Sequence, residues 1–471
     1  MTKTFIRTRL SAMMFLQFFV WGSWYVAGPN YLKNIGFGAA DFAWMYSVGP
    51  LAGIISPFFV GMIADRFFAT ERVLGTMHLL GGAAMVAAIS VMQGDHPQPG
   101  VINLLFFIHM LCYFPTLALT NTLALKNMKN PEAEFPPIRV FGTIGWIMAG
   151  LLLSRLTLEG TFLHKGVFVP DNPTQLQTWD TSVHMFTICA ATCIVLGLYS
   201  FTLPHTPPAP QTKSPSLSQI LGLDALILFK NRSFSLFMLS SFLICIPLAF
   251  YYQLASRTIE QTGLPIAQTM TYGQMSEIVF MLLMPFFFRR LGIKKMLLVG
   301  MLAWVLRYGL FSFGTPDKVV GMIILGVMLH GICYDFFFVT GQIFTDKIAP
   351  EHLRGQAQGL LLLVTLGLGM LVGAQCAGYV ENWATTPKTI ALRTEAAELN
   401  RQCVVLEKSN PSQTQIAELA KLRERQHNAS QDALASMNWK WIWGIPALMA
   451  AFVAVMFLMF FPKSETSRAA H

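Results

Sequence analysis

Charge is what this sequence has least of. Only 12% of its 471 residues are Asp, Glu, Lys or Arg, against about 25% in a soluble domain. With 54% hydrophobic residues, 38 Phe and 26 Met and a mean hydropathy of +0.51, too little polar surface remains to coat several globular domains. A string of soluble domains is excluded. Cysteine is sparse as well: seven are present, none in a Cys-x-x-Cys pair, which argues against a disulfide framework and a zinc site. Also missing are a P-loop, a His-Glu-x-x-His pair and a nucleophile elbow, the constellations that a membrane-embedded transferase or hydrolase would need. No cofactor or metal is expected. The net charge of +9 is scattered between apolar runs, so it reflects the positive-inside bias of membrane proteins and not a nucleic-acid surface.

What is present is apolar sequence in long runs. A membrane helix takes roughly 20 apolar residues, and windows of that length fall at about 10–32, 42–63, 73–93, 101–125, 139–155 and 183–203, then at about 233–256, 266–288, 295–313, 319–343, 355–381 and 438–461. The pattern predicts an all-α membrane protein of twelve transmembrane helices in two six-helix halves, 1–204 and 233–471. Met1 to Leu10 is basic and leads into an apolar run, as a signal peptide would, but no small-residue cleavage site follows, so the first helix is expected to be retained. Residues 205–232 read as a cytoplasmic linker, Pro-rich at Thr206-Pro-Pro-Ala-Pro and amphipathic through Leu221 to Phe229, ending in a helix on the membrane surface. Lys and Arg concentrate in loops on the side of the N-terminus, which places both termini in the cytoplasm. The long loop 382–437 is then external. Helical composition at 389–408 and 415–426, broken by Asn410-Pro411, predicts a hairpin there, read as a solvated element ahead of a gate.

The halves echo one another. Gly61-Met-Ile-Ala-Asp65-Arg66, with Glu71-Arg72 beyond it, follows the second helix, and Pro285-Phe-Phe-Phe-Arg289-Arg290-Leu-Gly292 follows the eighth. A turn-forming Gly, an Asp at a helix end and clustered arginines suit a salt-bridged latch; a plain positive-inside loop is the other reading. Gly-x-x-x-Asp-Arg at this place resembles the signature loop of the major facilitator superfamily. That resemblance implies two halves rocking about a midplane site, with Gly61, Asp65, Arg66 and Arg72 in the gating loop.

Ionisable residues deep in membrane helices are costly, about 2.5–3.5 kcal/mol at the centre, and point to function. Four stand out: Arg139, Glu277, Arg307 and Asp335. Glu277 follows Gln274 by three residues, so both share a helix face. A carboxyl kept from water is easier to protonate, as a proton-coupled carrier requires, although a pairing of Asp335 with an arginine would also explain it. Arg307, near the end of its helix, reads as snorkelling or structural. His330 lies within about a turn of Asp335, which suits substrate contact or a proton relay as well as it suits packing. His78 and His109 read as packing residues. So do most aromatics, Trp21 and Trp24 among them. Trp146 differs, because Arg139, Thr143 and Trp146 share one face, and a donor, a hydroxyl and a flat ring suit a planar polar ligand.

Together, Phe15-Leu-Gln-Phe18, Trp21-Gly-Ser-Trp24, Tyr113-x-Pro-Thr-Leu117, Phe135-Pro-Pro-Ile-Arg139-x-x-Gly142-Thr143, Gln274-x-Ser-Glu277, Ala303-Trp-x-Leu-Arg307, Asp335-Phe-Phe337 and Ala357-Gln-Gly359 resemble the nucleoside–proton symporter family. The likeness runs from about residue 10 to 381 and fades beyond. It implies proton-coupled nucleoside import across the cytoplasmic membrane by a monomer whose partners are substrate, protons and lipid. Arg139, Thr143, Gln274, Glu277 and Asp335 carry over as site residues, Asp335 and Glu277 for proton coupling. Trp146 and Tyr334 stand where the family has phenylalanines, and His330 where it has a tyrosine. The family's two seventh-helix amides are missing. Gln253 is one residue displaced, hence turned by about 100°. A carrier for another polar solute such as a sugar or glycoside is the alternative, with an enzyme or a non-transporting receptor behind it.

Overall fold

The computed structural model describes residues 3–56, 68–128, 131–158, 178–207, 223–409 and 412–462. Nearly all of them are helical. In the first half, α1 (Lys3–Gly22), α2 (Ala39–Ser56), α3 (Thr70–Met92), α4 (Pro99–Lys126), α5 (Pro131–Arg155) and α6 (His184–Ser200) follow in order. The run predicted for α1 does not stay helical to its end: after a turn at 23–27 the chain makes a short helix, Gly28–Leu32. In the second half α7 spans Arg232–Gln261. It is followed by Ile266–Gly314, two helices that meet at a bend at Gly292 (φ 68°, ψ 173°): α8 (266–291) and α9 (293–314). Glycine is needed there because a side chain disfavours positive φ.

Helix α10 spans Val320–Ile348 and α11 spans Arg354–Ala384. Both carry a π-helical stretch, at Asp335–Val339 and Leu363–Gly369, the kind of local widening that recurs at functional sites. A hairpin of α12 (Pro387–Lys408) and α13 (Gln413–Ala435) precedes α14 (Trp439–Phe460). Thr386 caps α12, and a capping box of Ser412 and Gln415 starts α13. The second hairpin helix runs nine residues past the predicted end at 426. Among the described residues, eight helices are long and apolar enough to cross a membrane, Ile266–Gly314 being counted as one. The linker's amphipathic segment forms a 3-10 helix, Leu223–Lys230, with Ala225 and Leu228 buried and Leu226, Ile227 and Phe229 exposed.

Each half has its own large apolar core, and Trp146 and Tyr252 pack against both. Within the first half α1 lies on α5, and α3 on α4 and α6; across the seam α2 meets α11 and α5 meets α8. The α8–α10 contact is close enough that a Cβ at Gly331 would lie 2.6 Å from the Ser276 backbone, so only glycine fits.

Among the described residues, polar bonds between the halves gather at the end that carries the hairpin. Glu260 of α7 accepts from Asn30 and Lys33, both at 2.6 Å. Gln375 donates to Ser47 (2.8 Å). Asp180, held by Ser154, accepts from the backbone N–H of Ala267 at 3.0 Å, placing a carboxylate at the positive N-terminus of α8. The hairpin joins this closure. Ser430 donates to Asn34 (3.1 Å) and Lys408 pairs with Asp95 (3.3 Å) in the first half, while Arg393 reaches Glu381 (3.1 Å) in the second. It is therefore not the free solvated element that its composition suggested.

Candidate functional site

Of the latch residues, Gly61, Asp65 and Arg66 lie outside the described residues. Arg72 is exposed. The stronger tie is its neighbour: buried Glu71 accepts from the Thr206 backbone (3.0 Å) and pairs with His205 (2.8 Å), binding α3 to the start of the linker.

The seam is lined from the first half by α5. The Arg139 guanidinium lies 4.2 Å from the Phe18 ring centroid of α1, a cation held by an aromatic face. Thr143 and Trp146 are half-buried on the same helix. Trp146 meets Trp21 edge-on at 5.4 Å, and Trp21 also touches Tyr25, Tyr113 and Phe114. Trp21 packs against the first-half core, as read, with its indole N–H buried and unpartnered. Tyr252 of α7 packs edge-on against Tyr25 across the seam (5.7 Å). No sequence signal singled it out among so many aromatics.

From the second half α8 brings Gln274 and Glu277, both half-buried, and the Gln274 carbonyl oxygen has no partner. Helix α10 brings His330, Tyr334 and Asp335. His330 Nε2 lies 3.8 Å from Glu277 Oε2, and the His330 and Tyr334 rings are 5.8 Å apart. Glu277 and Tyr334 lie within coulombic range of Arg139 across the seam, and Glu277 within that range of Asp335. Asp335 has no exposed surface, and neither carboxylate oxygen has a hydrogen-bond partner. It begins the π-helical stretch of α10. Glu277 is thus the common neighbour, with Arg139 and Asp335 each in range of it and His330 Nε2 3.8 Å away.

Two readings are corrected. Gln253 does not supply the missing amide to the seam: it is fully buried and donates to Glu381 Oε2 (3.2 Å), because the one-residue displacement turns it toward α11. Arg307 does not snorkel. It is wholly buried, its guanidinium 3.3 Å from the Tyr251 ring centroid and its Nη1 3.3 Å from His330 Nδ1. Position along a helix gave its depth but not which neighbours cover it. His78, as read, is bonded to Gln17 (2.8 Å). His109 Nδ1 bonds the Gly81 carbonyl (2.9 Å), and a ring nitrogen of His109 and the sulfurs of Cys189 and Cys193 lie within 4.8 Å of one another. Cysteines four apart on α6, with a histidine from α4, leave no motif in the sequence.

An all-helical bundle of two halves, with ionisable groups facing each other across the seam at membrane depth, is the frame of a membrane transporter and not of an enzyme. The family model for the nucleoside H+ symporter matches residues 4–395. The Escherichia coli K12 transporter YegT is 36% identical over 462 residues, covering 97% of this chain and 94% of its own. Nucleoside permease NupG of the same organism is 31% identical over 412 residues, covering 82% and 92%. A crystal structure of nucleoside transporter NupG superposes with a TM-score of 0.75 at 26% identity, covering 98% of this chain and 100% of that one. The chain belongs to the nucleoside–proton symporter family, with the major facilitator fold, and is an inner-membrane, multi-pass protein.

Proposed function

We propose that substrate binds in the seam, between Arg139, Thr143 and Trp146 on one wall and Gln274, Glu277, His330 and Tyr334 on the other, and that Asp335 carries the coupling proton. The chain is a proton-coupled secondary transporter that imports nucleosides by alternating access. A nucleoside offers a flat base and a hydroxylated ribose, so its site needs a stacking surface and paired polar groups. Trp146 and Tyr334 supply rings; Gln274, Glu277, Thr143 and Arg139 supply donors and acceptors. The observation that carries the coupling assignment is Asp335, buried with both oxygens unpartnered. A bare carboxylate in such a place is costly, whereas a neutral acid is not, so proton loss must accompany a change of surroundings.

In this reading twelve helices span the membrane in two halves joined by the linker, both termini are cytoplasmic, the hairpin is external and the monomer is the working unit. The rocking of the halves uses Gly61, Asp65, Arg66 and Arg72 in its gating loop. The decisive experiment is uptake of labelled nucleosides, bases and sugars into proteoliposomes under an imposed pH gradient. Uphill, pH-driven uptake of nucleosides is expected. Saturable uptake of a disaccharide that nucleosides do not inhibit overturns the substrate. Reporters fused near Gln415 and at Ser214 should lie on opposite sides of the membrane, and finding both on one side overturns the topology.

A further inference from the structure

We propose that Arg307 is a positioning residue of the transport site: it fixes His330 as a neutral ring with its proton on Nε2, making the ring a permanent donor beside Glu277 and barring it from carrying the coupling proton. This rests on the reading that Glu277 and His330 line that site. The chemistry follows from what each group is able to do. A guanidinium only donates and does not deprotonate in proteins. Its Nη1 is 3.3 Å from His330 Nδ1, so Nδ1 is the acceptor and bears no hydrogen. A neutral imidazole then carries its hydrogen on Nε2, the nitrogen 3.8 Å from Glu277 Oε2.

A second proton has nowhere to go but Nδ1. There it would point at the guanidinium and set two cations together where Arg307 is 0% and His330 5% exposed. The geometry is held from several sides. Tyr251 stacks on the imidazole at 5.7 Å, 17° from parallel, while its own face supports the guanidinium at 3.3 Å. Ser276 donates to the Met328 carbonyl (2.6 Å) and accepts from the Gly331 backbone (2.9 Å), locking α10 against α8 on either side of His330. The ionisable groups around the ring are Glu277 from α8, Arg307 from α9, Tyr251 from α7 and Tyr334 of its own helix, with Cys333 against the same guanidinium. Glu277 alone would favour a charged ring, and it faces the nitrogen that already holds a proton.

The test is nitrogen NMR of the intact protein, labelled in histidine and reconstituted in liposomes, with the His330 signals assigned by their loss in His330→Gln. The ring is expected to show a bare Nδ1 and a protonated Nε2 throughout about pH 5 to 8, the range in which a free histidine titrates. A doubly protonated ring in that range, or a proton on Nδ1, overturns the proposal. In Arg307→Met the ring should take up a second proton within the range, and the pH profile of uptake should gain an inflection there. Arg307→Lys, which keeps a donor, should restore the original profile. A folded Arg307→Met protein whose ring stays neutral with Nε2 protonated also overturns the proposal. If Arg307→Met does not fold, the wild-type spectrum and the lysine variant still decide. The spectra do not depend on which solute is carried, so a failure of the nucleoside reading shows in uptake and not in them.

Discussion

Glu381 and Asp335 are both carboxylates without exposed surface in the second half of the molecule, and they live opposite lives. Glu381 takes a two-pronged contact from Arg257 (2.5 and 2.8 Å), a third from Arg393 (3.1 Å) and a fourth from Gln253 (3.2 Å). Arg257 in turn lies 4.4 Å from the Phe42 ring of the first half. Asp335 has no hydrogen bond on either oxygen. A buried charge needs paired and hydrogen-bonded surroundings. Glu381 has them and is a fixed charge of the structure. Asp335 lacks them, and the proposal that it carries the coupling proton rests on that difference. Burial alone does not separate the two carboxylates; their partners do.

The comparison breaks most visibly if its two members respond alike. Asp335→Asn replaces an unpartnered acid by a neutral group of the same shape. It should abolish uphill, proton-driven nucleoside accumulation while leaving the thermal unfolding midpoint in detergent nearly unchanged. If accumulation survives with an unaltered pH profile, Asp335 is structural and the proton travels elsewhere. Glu381→Gln should do the reverse in kind, leaving Arg257 and Arg393 without their counter-charge and costing about 3–5 kcal/mol of stability, seen as a lowered unfolding midpoint and reduced yield. An unchanged midpoint would mean that the cluster is not what holds α7 to α11.

Smaller effects sharpen the contrast by moving to residues that act on substrate alone. Trp146→Ala should weaken nucleoside binding by about 1–3 kcal/mol, by analogy with base–aromatic stacking elsewhere, with less effect on ribose, as competition against labelled uridine would show. Equal losses for ribose and nucleosides would make the ring a packing residue. Gln274→Ala should cost about 0.5–1.5 kcal/mol, the worth of one ordinary neutral hydrogen bond. No change in affinity would remove Gln274 from the site.

The helices were legible because run length and apolarity set a span directly: the window at 73–93 became Thr70–Met92, and that at 101–125 became Pro99–Lys126. Helical spacing also brought out Arg139, Thr143 and Trp146 as one group, and all three do lie on α5. Pairings between distant helices were not legible. Arg257 and Glu381 are 124 positions apart, and nothing in either run announces the other. Glu381 closes an apolar stretch and looks like the start of a loop, until α7 and the hairpin are folded around it. The π-helical stretches at Asp335–Val339 and Leu363–Gly369 were equally silent. An inserted residue shifts the face of everything downstream without altering the hydrophobic pattern enough to be seen.

The hairpin starts and finishes in the second half, just after Ala384 and just before Trp439, yet its contacts at Asn34 and Asp95 belong to the first. It is a passenger of one half and a brake on the other. In the proposed rocking cycle, a stroke that parts the halves at this end would have to peel two polar helices of 22 and 23 residues from the first half. In that cycle, part of the work of each turnover would be done at the rim. A binding protein raised against the outer face of α12 and α13 should stall the carrier without entering the seam, which makes its cycle addressable from the side of the membrane the hairpin faces.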